Sequence, residues 1–134
     1  MLNFKLAQDH HDYAKCLKLM KENGDKPERL GYPTVLCFDE TGLRGFMGTQ
    51  RRKDALVAGP LVLGKKRSLS LAFKLLNAYE NLLITLEQKE YLFTVLPTNE
   101  LWKSLVEKFI ARYGGIEKLH VHEDGITWYR RNLA

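Results

Sequence analysis

Lys65, Lys66 and Arg67 stand together between a hydrophobic run that ends at Leu63 and an apolar helical pattern that begins beyond Ser68 and Ser70. A helix N-terminus presents unpaired N–H groups and the positive end of the helix dipole, so three cations added there make an anion site, with phosphate the foremost ligand. The competing reading is a solvated basic turn of the kind any cationic chain carries. Two further basic clusters occur, at residues 49–54 (TQRRKD) and at Tyr129-Arg130-Arg131. If the three converged on one face, Tyr129 or Trp128 could stack bases while the cations held phosphates; scattered, they are solvated turns, and nucleic acid is not the expected partner.

Other chemistry-bearing residues lack a complete set. His120 and His122 fall on one strand face by the two-residue period, but no third metal ligand is fixed by spacing. In residues 9–12 (DHHD) the two aspartates suit a helix start, where they complement the dipole, and no metal is expected there. Cys16 and Cys37 lie far apart in apolar surroundings and read as buried, reduced thiols.

The elements that must position these residues follow from periodicity. A short strand at 3–6 leads to a helix capped by Asp9, with Tyr13, Cys16, Leu17 and Met20 inward. Residues 24–33 carry two prolines and two glycines and read as a loop beside a cleft. Strands are expected at 34–38 and 43–48, forming a hairpin, and at 54–63, where Gly59-Pro60 predicts a kink because proline cannot donate to a ladder. A long helix follows from Ser68 or Ser70 with Leu69, Ala72, Phe73, Leu76, Tyr79 and Leu83 inward. A buried strand at 91–96 is stopped by Pro97. Asn99 then caps a helix with Leu101, Trp102, Leu105, Val106, Phe109 and Ile110 inward, ended by Gly114-Gly115. Two last strands flank the turn at 123–125.

This order of elements, with an anion loop between a kinked fourth strand and the helix after it, resembles the GNAT superfamily of acyl-CoA N-acyltransferases over nearly the whole chain. The family's pyrophosphate loop reads Q/R-x-x-G-x-G/A; the matching residues here are Lys65-x-x-Ser68-x-Ser70, with serine in place of both glycines. The family often has an asparagine after its fifth strand and, seven residues on, a tyrosine acting as general acid; this chain has Asn99 but Val106. The resemblance implies an α/β (α+β) fold with a mixed, mostly antiparallel central sheet flanked by helices, in a single domain spanning 1–134. It implies acetyl-CoA as co-substrate, no metal, and transfer of an acetyl group to an amine acceptor, which would enter between the 24–33 loop and strands four and five. Leu61 and Leu63 would pair with the pantetheine arm. Lys65, Lys66, Arg67, Ser68, Leu69 and Ser70 would hold the pyrophosphate, and Asn99 would orient the arm.

Acetyl transfer needs a group to take a proton from the ammonium and one to reprotonate the thiolate. Glu40 and Asp54, with Asp39, are the carboxylates expected nearest the cleft, and Tyr113 is a candidate acid two turns beyond Val106. Small, degenerate members of the superfamily occur in bacteriophages, and the short loops here resemble those. The alternative function is therefore a catalytically inactive protein of this fold, used for binding or structure in a phage particle or other assembly.

Composition agrees without choosing. The 134 residues carry a formal charge of +5, a pI near 9.2 and 45% hydrophobic residues, as an ordinary globular chain does. No apolar run approaches the roughly 20 residues of a membrane span, and the first residues do not read as a secretory signal. A cytoplasmic location, in the host or in a virion for a phage protein, is expected, and pairing of the last strands in a homodimer is left open.

Overall fold

The computed structural model describes residues 1–26 and 30–134, with Leu101 and Tyr113 described by their backbone alone. Its elements run β1 (Asn3–Leu6), α1 (His10–Glu22), β2 (Gly31–Asp39), β3 (Gly42–Arg52), β4 (Ala55–Leu63), α2 (Leu69–Thr85), β5 (Glu90–Val95), α3 (Glu100–Tyr113), β6 (Ile116–Val121) and β7 (Thr127–Asn132). The strands form one sheet in the order β1-β2-β3-β4-β5-β7-β6. Every neighbouring pair is antiparallel except β4 and β5, which α2 joins as a crossover and which therefore run parallel. The mixed, mostly antiparallel sheet flanked by helices matches the fold class that the family resemblance implies.

Side-chain caps start each helix. Asp9 accepts from the Asp12 amide, Ser68 from Leu71 and Asn99 from Trp102, each satisfying one of the amides that a helix start leaves unpaired. Alternation along the strands sorts the core onto two faces. Val35, Cys37 and Met47 pack under α2, while Leu36, Phe46 and Val62 pack under α1. In β4 the parity changes across Gly59-Pro60: Leu56 and Ala58 before it, and Leu61 and Leu63 after it, face the same layer. The β3–β4 register shifts at the same place, between Met47–Leu61 and Thr49–Ala58, so the expected kink is a β-bulge.

Several expectations need correction. The loop at 24–33 is shorter, because β2 begins at Gly31 and takes in Pro33; the register jump between Gly31 and Val35 accommodates the missing amide. Residues 27–29 lie outside the described residues. β3 continues through Gln50, Arg51 and Arg52, leaving only Lys53 and Asp54 as the turn, with Lys53 at φ +53°. Leu17 and Ile110 point outward, 38% and 41% exposed. On α1 the inward face instead includes Asp12, whose carboxylate accepts from the Gln8 amide at 2.9 Å and pairs with Lys5 at 3.1 Å. Leu101, also expected inward, has a side chain outside the described set.

Candidate functional site

β4 and β5 are in register at one point, Val57 opposite Leu92, and part beyond it. The gap opens a cleft of about 430 Å³ whose walls include Gln50 of β3, Leu61 of β4, Thr94 of β5 and Trp102 of α3. Met20 and Asp25, from the end of α1 and the loop beyond, close the remaining side. Asn99 also lines the cleft while capping α3. Trp102 is held in place by its indole N–H, which donates to the Thr94 carbonyl at 2.6 Å.

The backbone of β4 supplies hydrogen-bonding groups on this side. The Gly64 amide donates to the Arg44 carbonyl at 2.8 Å. Alternation along an antiparallel ladder then turns the N–H and C=O of Leu63 and Leu61 away from β3 and toward the gap. The Leu63 carbonyl already accepts from Asn23 Nδ2 at 2.6 Å.

At the end of β4 the chain passes through the exposed residues Lys65, Lys66 and Arg67 to the first turn of α2. Arg44 braces this turn. Besides its carbonyl bond to Gly64, its guanidinium donates to the Lys66 carbonyl at 3.3 Å and pairs with Asp39. Hydrogen bonds from Thr41 and from Arg44 hold the Asp39 carboxyl well below the usual carboxylate range. The Ser68 hydroxyl is committed to capping, but the amides of Leu69 and Ser70, in the first helical turn, have no intrahelical acceptor by position. Leu69 is half-buried against the core and Ser70 is exposed.

Glu40 and Asp54, named from the sequence as catalytic candidates, are not brought to this cleft. Glu40 sits in the β2–β3 turn, exposed, and pairs with the N-terminal ammonium at 2.6 Å, which lowers its pKa. Asp54 is exposed in the two-residue β3–β4 turn, at the opposite end of β4 from the cationic loop. Tyr113 closes α3, the far end of that helix from Asn99, and its side chain lies outside the described residues. Val106 is buried in the core, 5% exposed. Among the described residues, the carboxylate that does reach the cleft wall is Asp25, beside Lys26. Its place in a Gly/Pro-rich loop was visible in the sequence, but nothing there separated it from the other loop charges. Gln50, Thr94 and Trp102 were missed because strand pairing, not spacing, assembles them.

The remaining candidates resolve locally. His120 stacks on Trp128 with ring centroids 6.1 Å apart, and His122 pairs with Asp124 at 3.3 Å. Among the described residues no three His, Cys, Asp or Glu side chains group as a metal would need. Of the basic clusters, Arg52 lies over Trp128, Arg130 pairs with Glu90 and Glu117, and Arg131 is locked to buried Glu80. The Lys65–Arg67 turn is at the other end of β4, on the order of 25 Å away along the strand. Among the described residues, no helix is long and apolar enough to cross a membrane.

No family model and no curated protein sequence matches the chain. Solved structures do. An acetyltransferase of the GNAT family from Staphylococcus aureus Mu50 superposes with a TM-score of 0.69 at 13% identity, covering all of both chains. An aminoglycoside 6′-acetyltransferase type Ii gives 0.73 at 17%, over 98% of this chain and 97% of that one. The N-acetylglutamate synthase of Neisseria gonorrhoeae, solved with coenzyme A and N-acetyl-glutamate, gives 0.68 at 11%, over 100% of this chain and 35% of its own. At such identities the likeness establishes the fold, which is that of the GNAT acetyltransferases.

Proposed function

We propose that this chain is an acyl-CoA-dependent N-acyltransferase that moves an acetyl group from acetyl-CoA to an amine. The observation that carries the reading is the parted pair β4 and β5, with a bulge at Gly59-Pro60 and a cleft whose β4 wall runs to Val62, just before the Lys65–Arg67 turn. The residues present suit the co-substrate. Gap-facing backbone groups of Leu61 and Leu63 can pair with the amides of a pantetheine arm, and Asn99 can orient it. Lys65, Lys66, Arg67 and the amides of Leu69 and Ser70, beside the Ser68 cap, offer charge and donors to a pyrophosphate. Two solved structures of the same fold are named as acetyltransferases, and a third, an N-acetylglutamate synthase, holds coenzyme A.

In the proposed reaction the neutral amine attacks the thioester carbonyl. A C–N bond forms, the C–S bond breaks, and the thiolate leaves and takes a proton from solvent. The proton lost by the acceptor's ammonium passes to water or to Asp25, the acidic side chain on the cleft wall. Glu40 and Asp54 lie outside the cleft, so the proposal gives neither a role in proton transfer, and it gives none to Tyr113.

Calorimetric titration with acetyl-CoA tests this. Micromolar binding that Lys65→Glu/Arg67→Glu protein loses supports the reading, and absence of heat at millimolar ligand overturns it.

One observation favours a second reading. Val106 fills the position of the family's acid with a buried apolar side chain, which suits a non-catalytic protein of this fold that binds a partner in a larger assembly, as in a phage particle. Acetyl-CoA binding without acetylation of any amine would favour it.

A further inference from the structure

Among the described residues, no helix covers the sheet face over β5 and β7 that is turned away from α2 and α3, and its chemistry is not random. Cross-strand partners share a face, so Gln50, Arg52 and Val57 lie on the same side as Leu92, Thr94 and Trp128. Gln50, Val57 and Thr94 also line the cleft, and Trp128 is the direct partner of Thr94. Trp128, which does not itself line the cleft, is thus the cross-strand neighbour of a residue that does. The Arg52 guanidinium lies over that ring, 5.7 Å from its centroid, and the His120 imidazole stacks on it at an interplanar angle of 14°. Arg130 on the same face is neutralised by Glu90 and Glu117. Among the described residues no carboxylate lies within ion-pair distance of Arg52, which shares its hairpin with Arg51 and Lys53.

We propose that Trp128 and Arg52 form the acceptor subsite, and that the acceptor is an amine carrying an oxyanion across a flat or apolar spacer. This rests on the acyltransferase reading. Arg52 is two residues beyond the cleft-lining Gln50, a separation of roughly 7 Å along a strand. An acceptor whose amine reaches the cleft thus places its far end over Trp128 and beside Arg52. The spacer takes the stacking place that the His120 imidazole holds on the ring, and the guanidinium, already oriented by its cation–π contact, takes a carboxylate or phosphate through paired N–H donors. On the opposite wall Asp25 can accept a hydrogen bond from the ammonium, beside Lys26, which lines the same wall.

The probes are 4-(aminomethyl)benzoate for a carboxylate, pyridoxamine phosphate for a phosphate, and benzylamine, which lacks the anion. Kinetics with acetyl-CoA should favour the anionic probes. In Arg52→Gln protein the preference in kcat/KM for 4-(aminomethyl)benzoate over benzylamine should fall about tenfold, through KM, with partial recovery in Arg52→Lys. Whichever anionic probe has the larger preference identifies the oxyanion. Fluorescence gives a readout independent of turnover. The anionic probes should quench emission in the wild type and in Trp102→Phe protein, with no quench in Trp128→Phe protein and a raised half-saturation in Arg52→Gln. A preference unmoved by Arg52→Gln, or quenching that survives loss of Trp128, overturns the subsite. So does quenching by a single-stranded oligonucleotide, fading with salt, that exceeds quenching by both probes. If quenching follows this pattern while calorimetry shows no acetyl-CoA binding, the subsite stands and the acyltransferase reading falls.

Discussion

Asn23, which closes α1, donates from Nδ2 to the carbonyl oxygen of Leu63 at 2.6 Å. The bond ties the end of a helix to the end of β4, next to the Lys65–Arg67 turn. Met20 and Asp25, on either side of Asn23 in the chain, line the cleft, so this contact sets the distance between the α1 wall and the bulged strand.

Asn23→Ala should therefore lower stability by about 0.5–1.5 kcal/mol, the net worth of one such hydrogen bond. Urea unfolding measures it, and an unchanged midpoint would mean that the contact contributes nothing.

Gly59 adopts φ +127° at the bulge, and an added Cβ would meet no atom within 4 Å, so the cost of Gly59→Ala is conformational rather than steric. A loss of about 1–3 kcal/mol is expected. Because the strand can relieve it by straightening, acetyl-CoA affinity should fall as well, which calorimetry on the folded variant reads.

Glu80 is the buried centre of a network joining four elements. It accepts from Arg131 Nε at 2.8 Å and Nη2 at 3.1 Å, and from the Tyr91 hydroxyl. Arg131 lies over the Phe109 ring and also donates to the Gly114 carbonyl at 2.7 Å. Glu80→Ala strands the guanidinium and should cost about 3–5 kcal/mol. Thermal unfolding tests this, with Glu80→Gln expected between the wild type and Glu80→Ala.

Acid should unfold the protein partly through Asp12 and Asp39. The Gln8 amide, aided by Lys5, lowers the pKa of Asp12; Thr41 and Arg44 lower that of Asp39. Folded values below the unfolded ones mean stability that is fully present above about pH 4 and lost as pH falls through the folded values. Asp12→Asn and Asp39→Asn should each flatten the fall in unfolding midpoint below pH 4, and a parallel fall would reject the assignment.

Both cysteines should be inert in the native state. Burial pushes the Cys16 thiol up to about 12 and raises that of Cys37, and both are fully buried. A disulfide reagent at pH 8 should titrate no thiol in the native protein and two after unfolding; fast native reaction would contradict the packing.

The local rules worked where one residue's chemistry decides an outcome. Asp9 and Asn99 were legible as caps, and Ser68 as one of two candidates with Ser70, because a short oxygen-bearing side chain before an apolar helical run has one common use. Gly59-Pro60 was legible as a break because proline lacks an amide. The cationic turn after β4 was legible because the charges directly precede a helix start. Inward faces were read less well. Periodicity gives a stripe but not its edges, so Leu17 and Ile110 were turned inward, and Asp12 was not expected to be buried with its own partners.

What the sequence by itself determined was the order of elements, their caps and breaks, and the cationic turn after β4, since each depends on residues within a few positions of one another. Tertiary structure alone decided which carboxylate meets the cleft and which arginines are spent on Glu80, Glu90 and Glu117. It also decided that Arg52 lies over Trp128, 76 residues away in the chain. Those contacts cross between strands whose adjacency no local pattern encodes: β5 enters beside β4 by a helical crossover, and β7 inserts between β5 and β6. The parting of β4 and β5, on which the proposed chemistry depends, belongs to the same level, because a gap between strands exists only once the sheet is assembled.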